Sequence, residues 1–284
     1  MSHTTIHLIY SVIFMLMSIA MPSASAGNSL QYKKIAPGID ISDFTFAANK
    51  DIADAVGLHV IRVNPARVRI SVVDVRFLSD PHDKNSMQIA FSLREVMRLI
   101  APVAAINGGY TRSLVKPIPT GLILSEGKYT STIINGSTKI RGVVCVHRDG
   151  RVIIDEISAV ATAECLSAIQ SGPLLIEKNG MNGIHKTQQS VKALRSLVGI
   201  DQKGWVYLIQ TTSVSLFDLG DSLRLGGTRD TGLIAALNLD GDIDSGLIAK
   251  NESGTRIFGN IDAVIPSALV IHALPYQDKR QNRR

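Results

Sequence analysis

Short apolar runs rich in Val, Ile and Leu, bounded by turn residues, dominate this chain. Runs of this length and composition are typical of β-strands. They predict strands over Leu58–Val63, Val68–Val75, Val103–Ile106, Gly121–Leu124, Gly142–Val146, Val152–Asp155, Pro173–Glu177, Leu197–Ile200, Val206–Gln210, Ala235–Leu239 and Ala268–Ile271. Turn residues at 147–151 and 201–204 predict two β-hairpins.

Only two segments carry the spacing of an amphipathic helix. One is Gln88–Ile100, whose apolar residues recur every three or four positions. The other is Ser215–Leu225, which opens with Ser215 three residues before Asp218 and ends at Gly226-Gly227. No low-complexity linker or repeat interrupts the pattern. We therefore predict an α+β fold: a single domain with a large mixed β-sheet core and a few flanking helices.

The N-terminus reads as a targeting segment. The uncharged run Leu8–Ala20 is too short to span a bilayer comfortably, and Ala24-Ser25-Ala26 matches the small-residue pattern of a signal-peptidase site. We predict a signal peptide over residues 1–26, with an uncleaved anchor as the alternative because the segment lacks Lys and Arg before its apolar run. The mature domain would then cover residues 27–277, in the periplasm or outside the cell, without a membrane span.

The formal net charge of +6 changes the picture little, because of where the charge lies. Residues 278–284 hold four basic side chains and one acidic one, so this basic C-terminal tail accounts for half of the excess. No basic stripe with interleaved aromatic residues occurs in the rest of the chain, which argues against nucleic acid as a partner.

The chain has two cysteines, Cys145 and Cys165, each next to or within a predicted strand. Export would allow them to form a disulfide across neighbouring strands. The alternative is two separate buried thiols. Cysteine and histidine spacing gives no structural zinc site.

Four predicted strands end in small, polar or charged residues, at residues 104–110, 169–173, 194–199 and 236–242. Strand ends of this kind can deliver Asn, Ser, Arg and Asp side chains to a common pocket. Neighbouring glycines let a ligand approach the backbone. Taken singly, however, each stretch is equally typical of an ordinary turn.

In this order the four stretches resemble the phosphodiester glycosidase family. The resemblance rests on AINGGY at 105–110, QSGPLL at 170–175, RSLVG at 195–199 and the block SLFDLGDSLRLGG…ALNLDG at 215–241, and it extends over roughly residues 35–272. It implies a hydrolase that acts on a glycosyl bond, with a glycan or sugar phosphate as partner and no required cofactor.

The resemblance also implies site residues. Asp240 and Arg195 occupy the positions expected to be catalytic. The positions expected to bind substrate are Asn107, Gly108, Gly109, Ser171, Gly172, Asn238, Gly241 and Ser245. In a sugar-1-phosphodiester the phosphate already leaves readily, so Arg195 would neutralise its charge while Asp240 acts as base or nucleophile at the sugar.

One departure from the family lies beside Asp240. The second glycine that usually follows the aspartate is Asp242 here, and Asp244 comes two residues later. If the position needs a positive φ, Asp tolerates it at some cost; if it needs space, Asp242 crowds the substrate. The three carboxylates Asp240, Asp242 and Asp244 would alternatively hold a divalent cation.

Two other functions stay open on this evidence. A non-catalytic envelope module could bind anionic glycans through a degenerate site, and an exported scaffold could use these glycines only as turns. The sequence does not determine the oligomeric state.

Overall fold

The computed structural model describes residues 30–47, 55–78, 91–113, 116–185, 191–224 and 232–274. Within them the strands are β1 (Lys33–Ala36), β2 (Ile39–Ala47), β3 (Ala55–Val63), β4 (Val68–Asp74), β5 (Ala104–Asn107), β6 (Ile123–Ser125), β7 (Lys128–Ser131), β8 (Gly142–His147), β9 (Val152–Glu156), β10 (Cys165–Ser171), β11 (Leu174–Ile176), β12 (Ala193–Asp201), β13 (Val206–Val214), β14 (Leu233–Asn238), β15 (Gly246–Asn251), β16 (Gly254–Gly259) and β17 (Ser267–Ala273). The α-helices are α1 (Leu93–Leu99) and α2 (Leu216–Ser222).

The strands form three sheets in which neighbours run antiparallel. A seven-stranded sheet has the order β1-β2-β3-β13-β12-β14-β11. Two five-stranded sheets have the orders β7-β6-β10-β8-β9, here the β10 sheet, and β16-β15-β5-β17-β4, here the β5 sheet. The prediction of one large mixed sheet is therefore wrong, whereas a strand-rich fold with few helices is confirmed. Apolar runs reveal strands but not their partners, which is why the division into three sheets was not predicted.

One hydrophobic cluster joins all three sheets. It contains Ile61 and Val198 of the seven-stranded sheet, Ile169 of the β10 sheet and Ile106 and Leu269 of the β5 sheet, each with 0 or 1% exposure. Side chains on the opposite faces need further cover. Leu219 and Leu223 provide it for the seven-stranded sheet, and α1 covers the β5 sheet.

A serine side chain caps the start of each helix. Ser215 accepts a hydrogen bond from the N–H of Asp218 at 3.1 Å, which confirms the predicted start of α2. Ser92 caps α1 in the same way, through the N–H of Glu95. The predicted start of this helix at Gln88 is wrong, because Ser92 is extended and the helix begins at Leu93. The Gly226-Gly227 stop lies outside the described residues.

Cys145 in β8 and Cys165 at the start of β10 form a disulfide. Their strands are neighbours in the β10 sheet, and both sulfurs belong to the apolar cluster on its outer face. The pairing across adjacent strands is thus confirmed.

The predicted signal peptide at 1–26 and the basic tail at 278–284 lie outside the described residues. Among the residues that are described, no helix has both the length and the hydropathy needed to cross a membrane.

Candidate functional site

The predicted site residues meet where strands of all three sheets end. Asn107 ends β5, Ser171 ends β10, and Asn238 ends β14, while Arg195 lies in β12 beside β14. Backbone hydrogen bonds connect these ends: the N–H of Asp240 donates to the Gly108 carbonyl at 3.0 Å, and the N–H of Asn238 donates to the Pro173 carbonyl at 3.0 Å. Asn107 and Asp240, which are 133 positions apart in sequence, are also in contact.

Asn107 supports this junction rather than facing a ligand. Its side chain is fully buried; Nδ2 donates to the Asp240 carbonyl at 2.8 Å, and Oδ1 accepts from the N–H of Gly246 at 3.0 Å. The amide therefore fixes both ends of the turn that carries Asp240. Its expected contact with substrate finds no support in this geometry.

The glycines of the site allow close packing between strands. A Cβ on Gly108 would collide with the Ser267 side chain, and one on Gly241 would stand 2.8 Å from the Leu194 carbonyl. A Cβ on Gly172 would collide with the Lys139 carbonyl, and one on Gly109 would be 3.0 Å from the Gln170 carbonyl. Here glycine serves the approach of backbone to backbone.

Ser171 and Ser245 are also buried. Ser245 is within hydrogen-bond distance of Ser196 (Oγ to Oγ, 3.0 Å) and belongs to a polar cluster behind the strand ends. Ser171 Oγ makes no hydrogen bond within the described residues. Neither hydroxyl is exposed at the site. A ligand could reach them only if the segments packed around them moved.

Asp240 is the most perturbed acid of the site. Burial raises its pKa to about 7, and the neighbouring Asp244 carboxyl raises it too, against hydrogen bonds from the N–H groups of Gly241 and Thr111. Asp244, which is 8% exposed, shares a hydrogen bond with Asp240, and burial raises its pKa as well. Two carboxyls in such contact cannot both ionise easily, so the pair holds a proton near neutral pH.

Arg195 is a half-buried cation beside the Asp240–Gly241 turn. Its Nη1 lies 3.7 Å from the position of a Gly241 Cβ. Nε and Nη2 donate to the carbonyls of Val214 and Val191, and within the described residues its guanidinium forms no ion pair with a carboxylate. Burial lowers the pKa of Arg195, but a guanidinium stays charged at neutral pH. The site thus presents a positive charge that has no carboxylate ion pair within the described residues and is suited to an anion.

Tyr110 and Asn238 connect these groups. The Tyr110 hydroxyl donates to the Gly172 carbonyl at 2.7 Å and accepts from Asn238 Nδ2 at 2.8 Å. Burial raises the pKa of Tyr110 to about 12. The negative charge of Asp240 raises it as well, whereas the positive charge of Arg195 lowers it. The phenol therefore remains a neutral donor between the acid and the cation.

Asp242 has a left-handed backbone conformation, with φ at 56°, and its side chain is exposed. Of the two expectations for this position, the conformational one fits the structure. The Asp242 carboxylate nevertheless interacts electrostatically with Arg195 and Asp244, and it acts to raise the pKa of each.

The matched family is phosphodiester glycosidase, over residues 101–272, which is more than half of the chain and contains every predicted site residue. This chain belongs to the phosphodiester glycosidase family. The resemblance seen in the sequence is confirmed.

Solved structures agree on the fold. The catalytic domain of zebrafish N-acetylglucosamine-1-phosphodiester alpha-N-acetylglucosaminidase, auto-inhibited by its pro-peptide, is 17% identical with a TM-score of 0.62, and the match covers 87% of each chain. A hypothetical protein from Synechocystis is 15% identical with a TM-score of 0.60, over 86% of this chain and 64% of that one. A putative exported protein from Burkholderia pseudomallei K96243 is 10% identical with a TM-score of 0.50, over 79% and 75% of the two chains. No curated protein sequence matches this chain.

Sequence reasoning did not predict the place of two residues at this candidate site. Tyr110 directly follows the Asn-Gly-Gly stretch, but an aromatic residue there carries no specific signal. Asp244 was noted only as a candidate cation ligand with Asp240 and Asp242. Within the described residues, no group of three or more His, Cys, Asp and Glu side chains is placed to hold a metal ion.

Proposed function

We propose that this protein is an exported hydrolase that cleaves the bond between a sugar and the phosphate of a sugar-1-phosphodiester. The observation that carries the proposal is the pairing of a buried carboxyl of raised pKa, Asp240, with a half-buried cation, Arg195, around Tyr110. The disulfide supports an oxidising compartment.

The proposed mechanism divides the work between the two charges. Arg195 holds the phosphate and neutralises the charge that develops as it leaves. Asp240, once ionised, acts at the anomeric carbon, as base for water or as nucleophile. The leaving phosphate needs no general acid because it is already stable as an anion.

Asp244 tunes Asp240 instead of serving as the second carboxyl of a glycosidase pair. Glycosidase carboxyls that act on opposite sides of a sugar are separated by about 5 Å or more, to leave room for the substrate between them. Asp240 and Asp244 share a hydrogen bond and so lie on the same side.

The test is release of free sugar from the glyceryl phosphodiester of α-N-acetylglucosamine 1-phosphate, a probe chosen from the activity named for the zebrafish enzyme. We expect Asp240→Asn and Arg195→Met each to lower kcat/KM about 100-fold or more. Asp262→Asn and Arg256→Met are matched controls, because both side chains are exposed and lie in surface ion pairs.

Full activity of Asp240→Asn would remove Asp240 from the chemistry. Thermal unfolding of each variant would distinguish a lost function from a lost fold.

A second function has one observation in its favour. The Asp242 carboxylate acts electrostatically on Arg195, and a negative charge there would oppose the neutralisation of a leaving phosphate by Arg195 and so lower turnover. A glycan-binding module without turnover would follow if the wild type binds sugar phosphates but releases no sugar.

A further inference from the structure

A cavity of about 820 Å³ opens beside Tyr110. Half of the described residues that line it are aliphatic: Ile134, Ile140, Pro173, Ile184 and Leu216. A second cavity, of about 970 Å³, includes Arg69 and Tyr129 in its lining and contains none of the predicted site residues. Of these two cavities, the Tyr110 cavity adjoins the proposed chemistry.

Tyr110 connects this cavity to the charged groups of the site. It contributes to the cavity wall, while its hydroxyl bonds to Asn238 and to the Gly172 carbonyl and its electrostatic neighbours are Asp240 and Arg195. Pro173, the residue after Gly172, lines the cavity as well. A phosphate beside Arg195 would therefore have the cavity within reach of one of its ester oxygens.

Gln170 holds one wall of the cavity in place. Its side chain is 1% exposed; Oε1 accepts from the N–H groups of Leu122 and Ile134, and Nε2 donates to the carbonyls of Ile134 and Ile140. All four bonds lie between 2.6 and 3.1 Å. A loop fixed by a buried, saturated amide is a preformed wall, and preformed apolar cavities of this size bind small molecules.

The lining also has a definite charge. Among the described residues that line it, Lys139 is the only charged one, and none is acidic. Such a cavity favours an apolar ligand that carries an anionic group at one end.

We propose that this cavity binds the aglycone of the substrate, and that the aglycone is an apolar alcohol esterified to the phosphate. The proposal rests on the proposed function. Hydrolysis then breaks the bond between the sugar C1 and its oxygen to phosphate, and the hydroxyl of water takes its place on C1. The remaining water proton passes to the carboxyl pair, and the aglycone leaves as its phosphate monoester.

The experiment compares two esters of α-N-acetylglucosamine 1-phosphate, octyl and glyceryl. We expect the wild type to show a kcat/KM for the octyl ester at least about tenfold higher, because apolar contacts discriminate by this order. Ile134→Ser should lower the octyl-to-glyceryl ratio of kcat/KM severalfold, because it removes an apolar contact with the octyl chain. Ile133→Ser is the matched control: it is the adjacent residue, 36% exposed, and does not line the cavity, so the ratio should not change.

Calorimetric binding of octyl phosphate tests the cavity without turnover. We expect binding to the wild type and weaker binding to Ile134→Ser. Equal kcat/KM values for the two esters, or an Ile134→Ser effect that is the same on both, would overturn the aglycone proposal and leave the proposed function intact.

If neither ester is cleaved but octyl phosphate binds in the Ile134-dependent way, the cavity binds apolar phosphates and the proposed function is wrong. Absence of both cleavage and binding would overturn both proposals.

Discussion

At the scale of single residues, the pair Asp240 and Asp244 defines the proposed chemistry. The sequence indicated Asp240 through its Asn-Leu-Asp-Gly stretch. It did not indicate that the Asp244 and Asp240 side chains would form a hydrogen bond with each other. That contact depends on a tight turn in which the N–H of Asp244 donates to the Gly241 carbonyl at 3.1 Å. Burial and the second carboxyl then both favour the protonated form of Asp240.

The pair predicts how activity depends on pH. Because ionised Asp240 is the proposed active form and its pKa is about 7, kcat/KM should rise as pH increases through 7. Asp244→Asn removes one carboxyl that raises this pKa, so the rise of kcat/KM should occur at lower pH. The measurement is the pH profile of kcat/KM between about pH 5 and 9.

Asp262→Asn replaces an exposed side chain and should not change the pH at which kcat/KM rises. If kcat/KM rises at the same pH in Asp244→Asn as in the wild type, the two carboxyls are not coupled.

At the scale of elements, the turn after β14 decides how the departure at Asp242 is understood. The sequence left two interpretations of Asp242 open, backbone strain at a positive φ or crowding of the substrate, because the residue type alone does not reveal φ. In the structure φ is 56° and the side chain is exposed, so the cost is conformational.

Asp242→Gly should therefore stabilise the protein, by up to about 1 kcal/mol, because glycine adopts a positive φ without strain. Urea unfolding monitored by circular dichroism measures it. Gln202→Gly is the control: Gln202 is an exposed turn residue without a positive φ, so its replacement should give no gain.

A loss of stability in Asp242→Gly would mean that the carboxylate makes a favourable contact larger than the strain. Activity that appears only in Asp242→Gly would instead support the binding-module function.

The predicted strands also show what short-range patterns reveal. Buried strands such as β8 and β14 are continuous apolar runs and were predicted to within a few residues. β2 and β16 were missed because they intersperse charged or polar residues with apolar ones, and β7 was missed because it is short and largely polar. The alternation of apolar and polar residues in β2 is itself typical of a strand, and a search for continuous apolar runs overlooks it.

At the scale of the whole molecule, the disulfide ties two strands of the β10 sheet over a sequence separation of 20 residues. It lies on the outer face, away from the cluster shared by the three sheets.

Replacing both cysteines by alanine should lower the free energy of unfolding by about 3 kcal/mol, since the unfolded chain regains the entropy that the closed loop removes. Urea unfolding of the double variant, and of the wild type with and without reductant, measures this. The reductant should destabilise only the wild type. An equal effect on both proteins would assign the loss to something other than the disulfide.

By itself the sequence determined the family, the predominance of strands, the start of α2 and the charged residues of the site, because each depends on residue types at short spacing. It left the cysteine pairing open. Only the tertiary structure decided that strands of three antiparallel sheets end together, that Asn107, Ser171 and Ser245 lie behind the site, and that Asp244 and Tyr110 face it. Burial raises the pKa of Asp240, and this burial arises only when contacts across more than 100 residues close the sheets around one core.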